Sequence, residues 1–388
     1  MIPQIINLTS VEVFRHYAEK YGISEGRYSF GLYGLELRHL KRKDAGNYEE
    51  IISSYRERVY LFTDSDDSMS IFLLGSMRRF KVLAERILRK LPGHSAIQLF
   101  NTISFYENYE LTNYKIGSKS FEFKNIYVMG ILNVTPDSFS DGGKYLDKTR
   151  AVNFGLKMLK NGADIVDVGG ESSRPGANII DAETEIERVI PVIQGILDKN
   201  PDAVLSVDTT KNEVAELALA AGAKIINDIS GGTFEPDILK TVAGHKAAFV
   251  IMHMKGKPAD MQINPVYDNV IEEIYDFLFK QVQKAKNAGI QHIFVDPGIG
   301  FGKRVEDNFN IIKRLDDFKS LSYPILLGVS RKSFLGKFLD LKVDDRDIPT
   351  SITETFAVEK GARIIRTHNV RNAVMLKNLL NKSRSVTI

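Results

Sequence analysis

The chain has 388 residues, of which 43% are apolar and 26% charged, with a formal net charge of +3 and no cysteine. The lack of cysteine excludes disulfides, thiolate nucleophiles and cysteine-ligated metal clusters. No apolar run approaches the roughly 20 residues of a membrane span, and the first residues lack a signal-peptide pattern, so we expect a cytoplasmic protein without membrane contacts. The small net charge argues against a nucleic acid partner and is compatible with an enzyme for a small anionic substrate.

Residues 1–112 are predicted to form a small appended α/β domain. Helical patterns and apolar runs alternate there, at 10–21, 46–57, 59–63, 70–75 and 77–91. The region contains no recognisable reactive cluster, so the sequence does not indicate its role. Its basic stretches, 38–43 and 78–90, are interleaved with Asp and Glu, which favours solvated helix faces over nucleic acid contacts.

Residues 113–388 are predicted to form a (β/α)8 TIM barrel. A short apolar run followed by an amphipathic stretch repeats eight times, with strands predicted at 126–133, 163–170, 203–208, 223–229, 247–254, 292–296, 324–330 and 362–368. Eight such units in about 260 residues favour a closed barrel over an open doubly wound sheet. Glycines that end the preceding helices fix the phase of the repeat: Gly162, Gly222, Gly289 and Gly361. A hairpin at 114–125 is expected to plug the amino-terminal end.

Polar residues stand at the carboxyl end of every predicted strand: Asn133, Asp167, Asp208, Asn227, Asp228, His253, Asp296, Ser330, Arg366 and His368. In a barrel these ends form one face, where barrel enzymes place their active sites. A single Asp or Asn there can simply cap the following helix. Because all eight predicted strands end in this way, the pattern favours an active site over eight separate helix caps.

The residue types suggest what this face binds. Carboxylates and amides on the third, fourth and sixth strands suit a flat heterocycle with ring N–H groups and an exocyclic amine. Arg366 and His368, beside Asn133, suit a pyrophosphate with Mg²⁺. The GIGFGK segment (298–303) is not a nucleotide-binding P-loop, because Pro297 stands at the first glycine and Arg304 replaces the Ser or Thr.

Eight segments, in order, resemble the motif set of dihydropteroate synthases: GILNVTPDSFSDGG (130–143), DVGGESSRPGA (167–177), SVDTTK (206–211), INDISGG (226–232), MHMKG (252–256), DPGIGFGK (296–303), GVSRKSFLG (328–336) and IIRTHNV (364–370). The resemblance covers about 114–381 and implies a pterin-binding TIM barrel. It implies a transferase of folate biosynthesis that joins 6-hydroxymethyl-7,8-dihydropterin pyrophosphate to p-aminobenzoate, releasing pyrophosphate. The reaction passes through a pterin-stabilised cation and needs no covalent enzyme nucleophile.

The resemblance also implies the site residues. Those for the pterin are Asp208, Asn227, Met252, Asp296, Phe301, Lys332 and Arg366. Those for p-aminobenzoate are Ser173, Arg174, Pro175 and Ser330. Those for the pyrophosphate are Asn133, Arg366 and His368, with Asn133 as a ligand of the cofactor Mg²⁺. The catalytic set is Asp208, Asp296, Lys332, Arg366 and Asp137.

Three departures from the family pattern affect these expectations. Asn369 replaces an Asp that would orient the neighbouring histidine, and Ser173 replaces a Thr but keeps the hydroxyl. Pro349, Thr353 and Glu354 replace a Gly/Ala-rich helix start near the dimer contact of the family. The resemblance implies a homodimer, and this last departure leaves it open.

Two other functions remain to be distinguished. A folate-dependent methyltransferase would share the Asp and Asn pocket but not the SRPG and SRKS segments, both of which are present. A non-catalytic pterin-binding barrel would require the loss of groups for the pyrophosphate or the aryl carboxylate, and only Asn369 points that way.

Overall fold

The structure, a computed structural model, describes residues 1–29, 31–55, 58–135, 144–172 and 179–385, without the side chains of 144–147. The chain divides into two compact units. Unit 1 comprises Met1–Tyr109 together with Asp316–Ser322, and unit 2 comprises Glu110–Leu315 and Tyr323–Ile388. The predicted boundary at 112 is close to this division, but the sequence had assigned 316–322 to the barrel domain.

Unit 1 is a four-stranded antiparallel sheet with helices on both faces. Its elements are β1 (Ile2–Asn7), α1 (Val11–Tyr21), β2 (Tyr33–Leu40), α2 (Arg42–Ser53), β3 (Tyr60–Thr63), β4 (Met69–Gly75), α3 (Met77–Lys90) and α4 (His94–Glu107). The strand order is β1-β2-β4-β3. One face packs on α2, α3 and α4 around Leu35 and Leu37, and the other packs on α1 through Tyr17 and Phe72.

The edge strand β1 is covered by the 316–322 segment. The backbone N–H of Ile5 donates to Oγ of Ser320 at 2.9 Å, and that of Asn7 donates to Oδ1 of Asp317 at 3.0 Å. Side chains thus satisfy the N–H groups that an edge strand would otherwise present to solvent or to another chain.

Unit 1 differs from its prediction in four elements and in the position of one residue. Helix α2 begins and ends four residues earlier than predicted, and β1, β2 and α4 had not been predicted. Arg38, assigned to a basic surface stretch, lies in β2 and is buried in an ion pair with Glu36. Arg38 therefore belongs neither to a solvated helix face nor to a surface that could contact nucleic acid.

In the described part of unit 2, eight parallel strands close into a barrel, which confirms the predicted fold. They are β7 (Tyr127–Asn133), β8 (Ile165–Gly169), β9 (Leu205–Asp208), β10 (Ile225–Asp228), β11 (Ala248–Met252), β12 (Ile293–Asp296), β13 (Ile325–Leu327) and β14 (Ala362–Thr367). Each lies within a predicted strand, and β14 pairs with β7 to close the barrel.

One helix follows each barrel strand, except that two, α11 and α12, follow β13. The helices are α5 (Lys144–Lys160), α6 (Ala182–Lys199), α7 (Asn212–Ala220), α8 (Ile238–Gly244), α9 (Val270–Ala288), α10 (Val305–Lys313), α11 (Ser333–Leu339), α12 (Asp347–Glu359) and α13 (Val370–Ser385). The four glycines predicted to end helices all have positive φ, between +97° and +114°. Glycine adopts this left-handed conformation without steric cost.

A hairpin of β5 (Asn113–Ile116) and β6 (Lys119–Glu122) precedes the barrel, as predicted. Its side chains Tyr114, Ile116 and Phe121 share one buried cluster with residues of the barrel strands. The hydroxyl of Tyr114 donates to the carbonyl of Ile293 at 2.9 Å, at the start of β12. The hairpin therefore closes the amino-terminal end and leaves the opposite end for the site.

Candidate active site

Strand register brings the polar strand ends level with one another. Asn133 is paired with Gly169, Gly169 with Asp208, and Asp208 with Asn227. On the next strands Met252 is paired with Asp296. These predicted site residues therefore lie on one rim of the barrel, at the carboxyl ends of their strands.

Arg366 connects strands that are not neighbours. It is the last residue but one of β14, and its guanidinium donates from Nη2 to Oδ2 of Asp208 at 2.6 Å and from Nε to Oδ2 of Asp167 at 2.7 Å. Its side chain is 17% exposed, so part of the side chain remains accessible. A planar guanidinium held in this way can also contact a flat ring or an anionic group.

Asp167 is a site residue that the sequence-based assignment did not include. It is fully buried, and its Oδ2 also accepts from Nδ2 of Asn227 at 2.9 Å. The carboxylate therefore orients both Arg366 and Asn227. Among the described residues its Oδ1 has no hydrogen-bond partner. Asp167 lies in β8 two residues before the strand ends and is paired with Ser206, so it is not level with Asp208. The signal that could have identified it is a charged residue inside an otherwise apolar strand, next to the polar strand ends.

Burial alters the acid–base properties of the two predicted catalytic carboxylates. It raises the pKa of Asp208, although the charge of Arg366 opposes the shift. It raises the pKa of Asp296 to about 6, although the backbone N–H of Gly298, which donates to Oδ1 at 2.7 Å, and the charge of Lys332 both lower it. Both groups can therefore change protonation close to neutral pH.

Lys332 and the two predicted walls lie together. Nζ of Lys332 is 3.9 Å from the centroid of the Phe301 ring, a cation–π contact. Burial lowers the pKa of Lys332 to about 8, and the nearby charge of Arg366 acts in the same direction. Phe301 and Met252 belong to one buried apolar cluster with Ile229. The predicted pterin residues thus combine an apolar wall with a cation and two acids.

His368 is oriented by Ser330 and not by residue 369. Oγ of Ser330 lies 3.0 Å from Nδ1 of His368 and accepts from its backbone N–H at 3.1 Å. Asn369 instead caps α13 by accepting from the backbone N–H of Asn372, and its Nδ2 donates to Oδ2 of Asp347 at 2.8 Å. The replacement of Asp by Asn therefore leaves the histidine with a defined partner.

Asn133 could supply a single oxygen ligand to a metal ion. The Oδ1 atom of Asn133 and the Oδ2 atom of Asp208 lie on either side of Gly169, each within 4 Å of the position that a Cβ on this glycine would take. Among the described residues no group of three or more His, Cys, Asp or Glu could hold a metal ion. Mg²⁺ is commonly held by one or two protein oxygens plus phosphates and waters, so this arrangement suits a metal that arrives with a diphosphate.

Four predicted residues lie outside the described residues: Asp137 in the first loop, and Ser173, Arg174 and Pro175 in the second. The base of the second loop is described and is anchored. Nζ of Lys211 donates to Glu171 and, at 2.6 Å, to Oε2 of the buried Glu185.

The comparisons agree with this geometry. The sequence matches the pterin-binding enzyme family over residues 129–368. The dihydropteroate synthase of Synechocystis sp. is 45% identical over 259 residues, which are 66% of this chain and 89% of the relative. The structure is similar to that of Yersinia pestis dihydropteroate synthase with a sulfonamide drug complex, with a TM-score of 0.67 and 36% identity over 71% of this chain and 100% of that one.

A second solved structure is similar to the same extent. Xanthomonas albilineans dihydropteroate synthase with 4-aminobenzoic acid has a TM-score of 0.66 and 37% identity, over 71% of this chain and 99% of that chain. The shared region is the barrel, which covers nearly the whole length of these proteins. The chain belongs to the pterin-binding enzyme family and, within it, to the dihydropteroate synthases.

Proposed function

We propose that the protein condenses 6-hydroxymethyl-7,8-dihydropterin pyrophosphate with p-aminobenzoate to give 7,8-dihydropteroate and pyrophosphate. The observation that carries the proposal is the network of Arg366, Asp167, Asp208 and Asn227 across the open end of the barrel. It holds carboxylate acceptors, an amide and a cation at the depth where a flat heterocycle with N–H groups would lie. The family assignment points to the same chemistry.

The pterin is proposed to bind with its ring edge on Asp208, Asn227 and Asp296, against Met252 and Phe301. Ionised carboxylates accept from the ring N–H and exocyclic amine, and the amide of Asn227 can both donate and accept. Lys332 supplies a donor beside Phe301. Apolar walls with a few convergent polar groups are typical of small-molecule sites.

In the reaction the bond between the pterin methylene carbon and the diphosphate oxygen breaks, and the electron pair leaves with pyrophosphate. The arylamine nitrogen of p-aminobenzoate then bonds to that carbon and loses a proton. Asp208 and Asp296, when ionised, stabilise the positive charge that spreads into the pterin. The preorganised ends of the strands provide this stabilisation without reorganisation of solvent.

The diphosphate is proposed to lie by Arg366, His368 and Asn133, and Asn133 would hold Mg²⁺ there. When bound, the metal neutralises charge on the leaving group. Arg366 is ionised throughout, and His368 is oriented by Ser330.

For p-aminobenzoate we propose Ser173, Arg174, Pro175 and Ser330 as binding residues, because the forked guanidinium of an arginine matches an aryl carboxylate. Asp137 is proposed as a catalytic residue of the first loop.

The proposal is tested with the purified full-length protein, Mg²⁺ and the pterin pyrophosphate, by measuring pyrophosphate release with and without p-aminobenzoate. We expect release that depends on the arylamine and that is lost in Asp296→Asn. Arg371→Lys, on the exposed face of α13, serves as the control and should behave as the wild type. Release that does not depend on p-aminobenzoate would contradict the proposal.

We also propose that two copies associate through α12 and α13. These helices form an apolar groove of about 420 Å³, lined by Ile352, Met375 and Leu379 among others. Leu379 is 71% exposed and Met375 64%, which is unusual for large apolar side chains in one patch. The resemblance places the dimer contact of the family near this region, and a self-complementary apolar groove suits a twofold interface.

Two of the three departures that left the dimer open do not expose their side chains to this groove. Glu354 is 1% exposed and Thr353 is 9% exposed, so both side chains point inward. Burial raises the pKa of Glu354 to about 8. Ile352→Lys should convert a dimer to a monomer in light scattering, and Lys360→Met should not. A wild-type monomer at micromolar concentration would contradict the proposal.

Among the described residues, no helix is long and apolar enough to cross a membrane. The cytoplasmic location stays a prediction.

A further inference from the structure

Lys303 is buried beside the pterin residues, in the loop between β12 and α10, and is only 3% exposed. Its Nζ lies 3.0 Å from Nδ1 of His253 and donates to the carbonyl of His253 at 3.3 Å and to that of Phe301 at 3.0 Å. Three acceptors match the three protons of an ammonium group. This geometry assigns Nδ1 of His253 as the acceptor and leaves its proton on Nε2.

These hydrogen bonds join two loops that already touch through their backbones. Gly298 and Gly302 have φ of +71° and +62°. A Cβ on Gly298 would lie 1.9 Å from the carbonyl oxygen of His253, and one on Gly302 would lie 2.2 Å from that of Lys255. No other residue type fits so close an approach. The loop after β12 is therefore closely packed on the loop after β11, and Lys303 closes the contact.

The two loops position both walls of the proposed pterin pocket. Met252 ends β11 immediately before His253, and Phe301 lies two residues before Lys303 in the loop after β12. Met252 and Phe301 pack in the same buried cluster. Loss of these hydrogen bonds would loosen the backbone at both walls. One acceptor is the carbonyl of Phe301, and the other is the carbonyl of His253, the residue that follows Met252.

Lys303 also affects the charge of Asp296. The charged groups that face Lys303 are Asp296, Lys332, Asp307 and Lys255. Those that face Asp296 are Lys332, Lys303 and Arg366. Burial lowers the pKa of Lys303 to about 7, and Asp296 is the strongest charge opposing that shift. In return, the positive charge of Lys303 favours the ionised form of Asp296.

We propose that Lys303 is a positioning residue for the reaction: it holds the Phe301 and Met252 walls in place, and its charge favours the ionised form of Asp296. It acts through these neighbours, because all three of its ammonium protons are donated to acceptors within the protein. The inference rests on the proposed function, since it assumes that Asp296 and the two walls contact the pterin.

The test compares Lys303→Met, Lys303→Gln and the control Lys255→Met in the full chain. Methionine matches the length of lysine without charge or donors, whereas glutamine keeps donors for a carbonyl but no charge. Lys255 lies on the adjoining loop with its side chain 41% exposed. Its Nζ lies 3.0 Å from Glu273 and also donates to the carbonyl of Val266, so its loss removes a screened charge and contacts that involve none of the proposed pterin residues. For each variant, KM for the pterin pyrophosphate, kcat and the pH profile of kcat/KM are measured.

For Lys303→Met we expect a rise in KM of about tenfold or more, equivalent to about 1.4 kcal/mol. The acidic limb of the profile should move to higher pH, because Asp296 loses a cation that lowers its pKa. Lys303→Gln should raise KM less than Lys303→Met does but show the same shift of the acidic limb, and Lys255→Met should match the wild type. If Lys303 had only a structural role, its replacement would lower the stability of the protein without shifting the acidic limb of the pH profile.

A folded Lys303→Met with unchanged KM and an unchanged limb would overturn the inference, even if its melting temperature fell. If Lys303→Met does not fold, Lys303→Gln decides, and an unshifted limb there would overturn the inference as well. Failure of the proposed function gives a different result: the wild-type protein itself would then show no p-aminobenzoate-dependent release of pyrophosphate.

Discussion

The guanidinium of Arg366 lies 2.6 Å from the carboxylate of Asp208, across 158 positions of sequence. Strands β7 and β8 separate their parent strands β14 and β9 in the barrel, so the ion pair spans the open end. Removing Arg366 leaves the buried carboxylates of Asp167 and Asp208 without their shared counter-ion, which is a large penalty in a protein interior. This relationship makes the barrel end sensitive to single substitutions.

Arg366→Lys should reduce kcat/KM by at least about 100-fold, equivalent to about 2.7 kcal/mol. Lysine cannot donate to Asp167 and Asp208 at once with the fixed fork of a guanidinium. Steady-state kinetics on protein shown by circular dichroism to be folded provide the measurement. Arg371→Lys is the matched control, and equal rates for the two variants would refute the role of Arg366.

Asp167→Asn should lower the free energy of unfolding by about 1.5–3 kcal/mol and raise KM for the pterin substrate. Its carboxylate accepts from both Arg366 and Asn227, and an amide replaces one acceptor by a donor. Ser206→Ala is the control, because Ser206 pairs with Asp167 in register and its buried Oγ has no partner among the described residues. Urea unfolding should leave Ser206→Ala close to the wild type; equal losses would contradict the prediction.

The pH profile of kcat/KM should be bell-shaped. Burial raises the pKa of Asp208 to about 7 and that of Asp296 to about 6, so as the pH falls through this range both carboxyls are protonated and cease to be charged acceptors for the pterin. Burial lowers the pKa of Lys332 to about 8, so above that pH its charge is lost. Activity should therefore fall below about pH 7 and above about pH 8. A flat profile between pH 5 and 9 would exclude all three groups.

Ser330→Ala should raise KM for the pterin pyrophosphate about fivefold, because His368 loses the hydroxyl that holds its ring and backbone, a loss of about 1 kcal/mol. KM for p-aminobenzoate should also rise, since Ser330 is a proposed contact of that substrate. Ser333→Ala, three residues further on and exposed, is the control. Unchanged KM values for both substrates would remove Ser330 from the site.

A sulfonamide should inhibit the protein competitively with p-aminobenzoate. The Yersinia pestis synthase, to which this structure is similar, has been solved with a sulfonamide drug complex. Inhibition is measured at several concentrations of p-aminobenzoate with the pterin substrate saturating. We expect the apparent KM for p-aminobenzoate to rise with inhibitor while kcat stays constant. Inhibition that p-aminobenzoate does not relieve would contradict a shared site.

The barrel could be predicted because each of its strands is a continuous apolar run that ends in a polar residue, and because helix-ending glycines mark where the strands begin. β2 was missed for the opposite reason. Leu35 and Leu37 alternate there with Glu36 and Arg38, and the two charged side chains are buried against one another. The sequence contains the charges, but their pairing appears only in the folded sheet.

The site residues also divide into those that the sequence could predict and those that it could not. Asp208, Asn227 and Asp296 follow from strand ends and motifs, whereas the role of Asp167 depends on Arg366 reaching across two strands. Lys303 belongs to the DPGIGFGK segment and to the rejected P-loop pattern, but neither pattern indicates the three acceptors that surround its amine. Contacts between loops from different strands depend on the closure of the barrel, which a linear pattern does not encode.

The central claim is tested most directly by the rate of 7,8-dihydropteroate formation, measured by mass spectrometry, in the wild-type protein and in Asp208→Asn. With Mg²⁺, pterin pyrophosphate and p-aminobenzoate, the wild-type protein should form the product in a 1:1 ratio to released pyrophosphate, as the condensation requires. Asp208→Asn should be folded but should form almost none. Absence of dihydropteroate with the wild-type protein, or an unchanged rate in Asp208→Asn, would contradict the account.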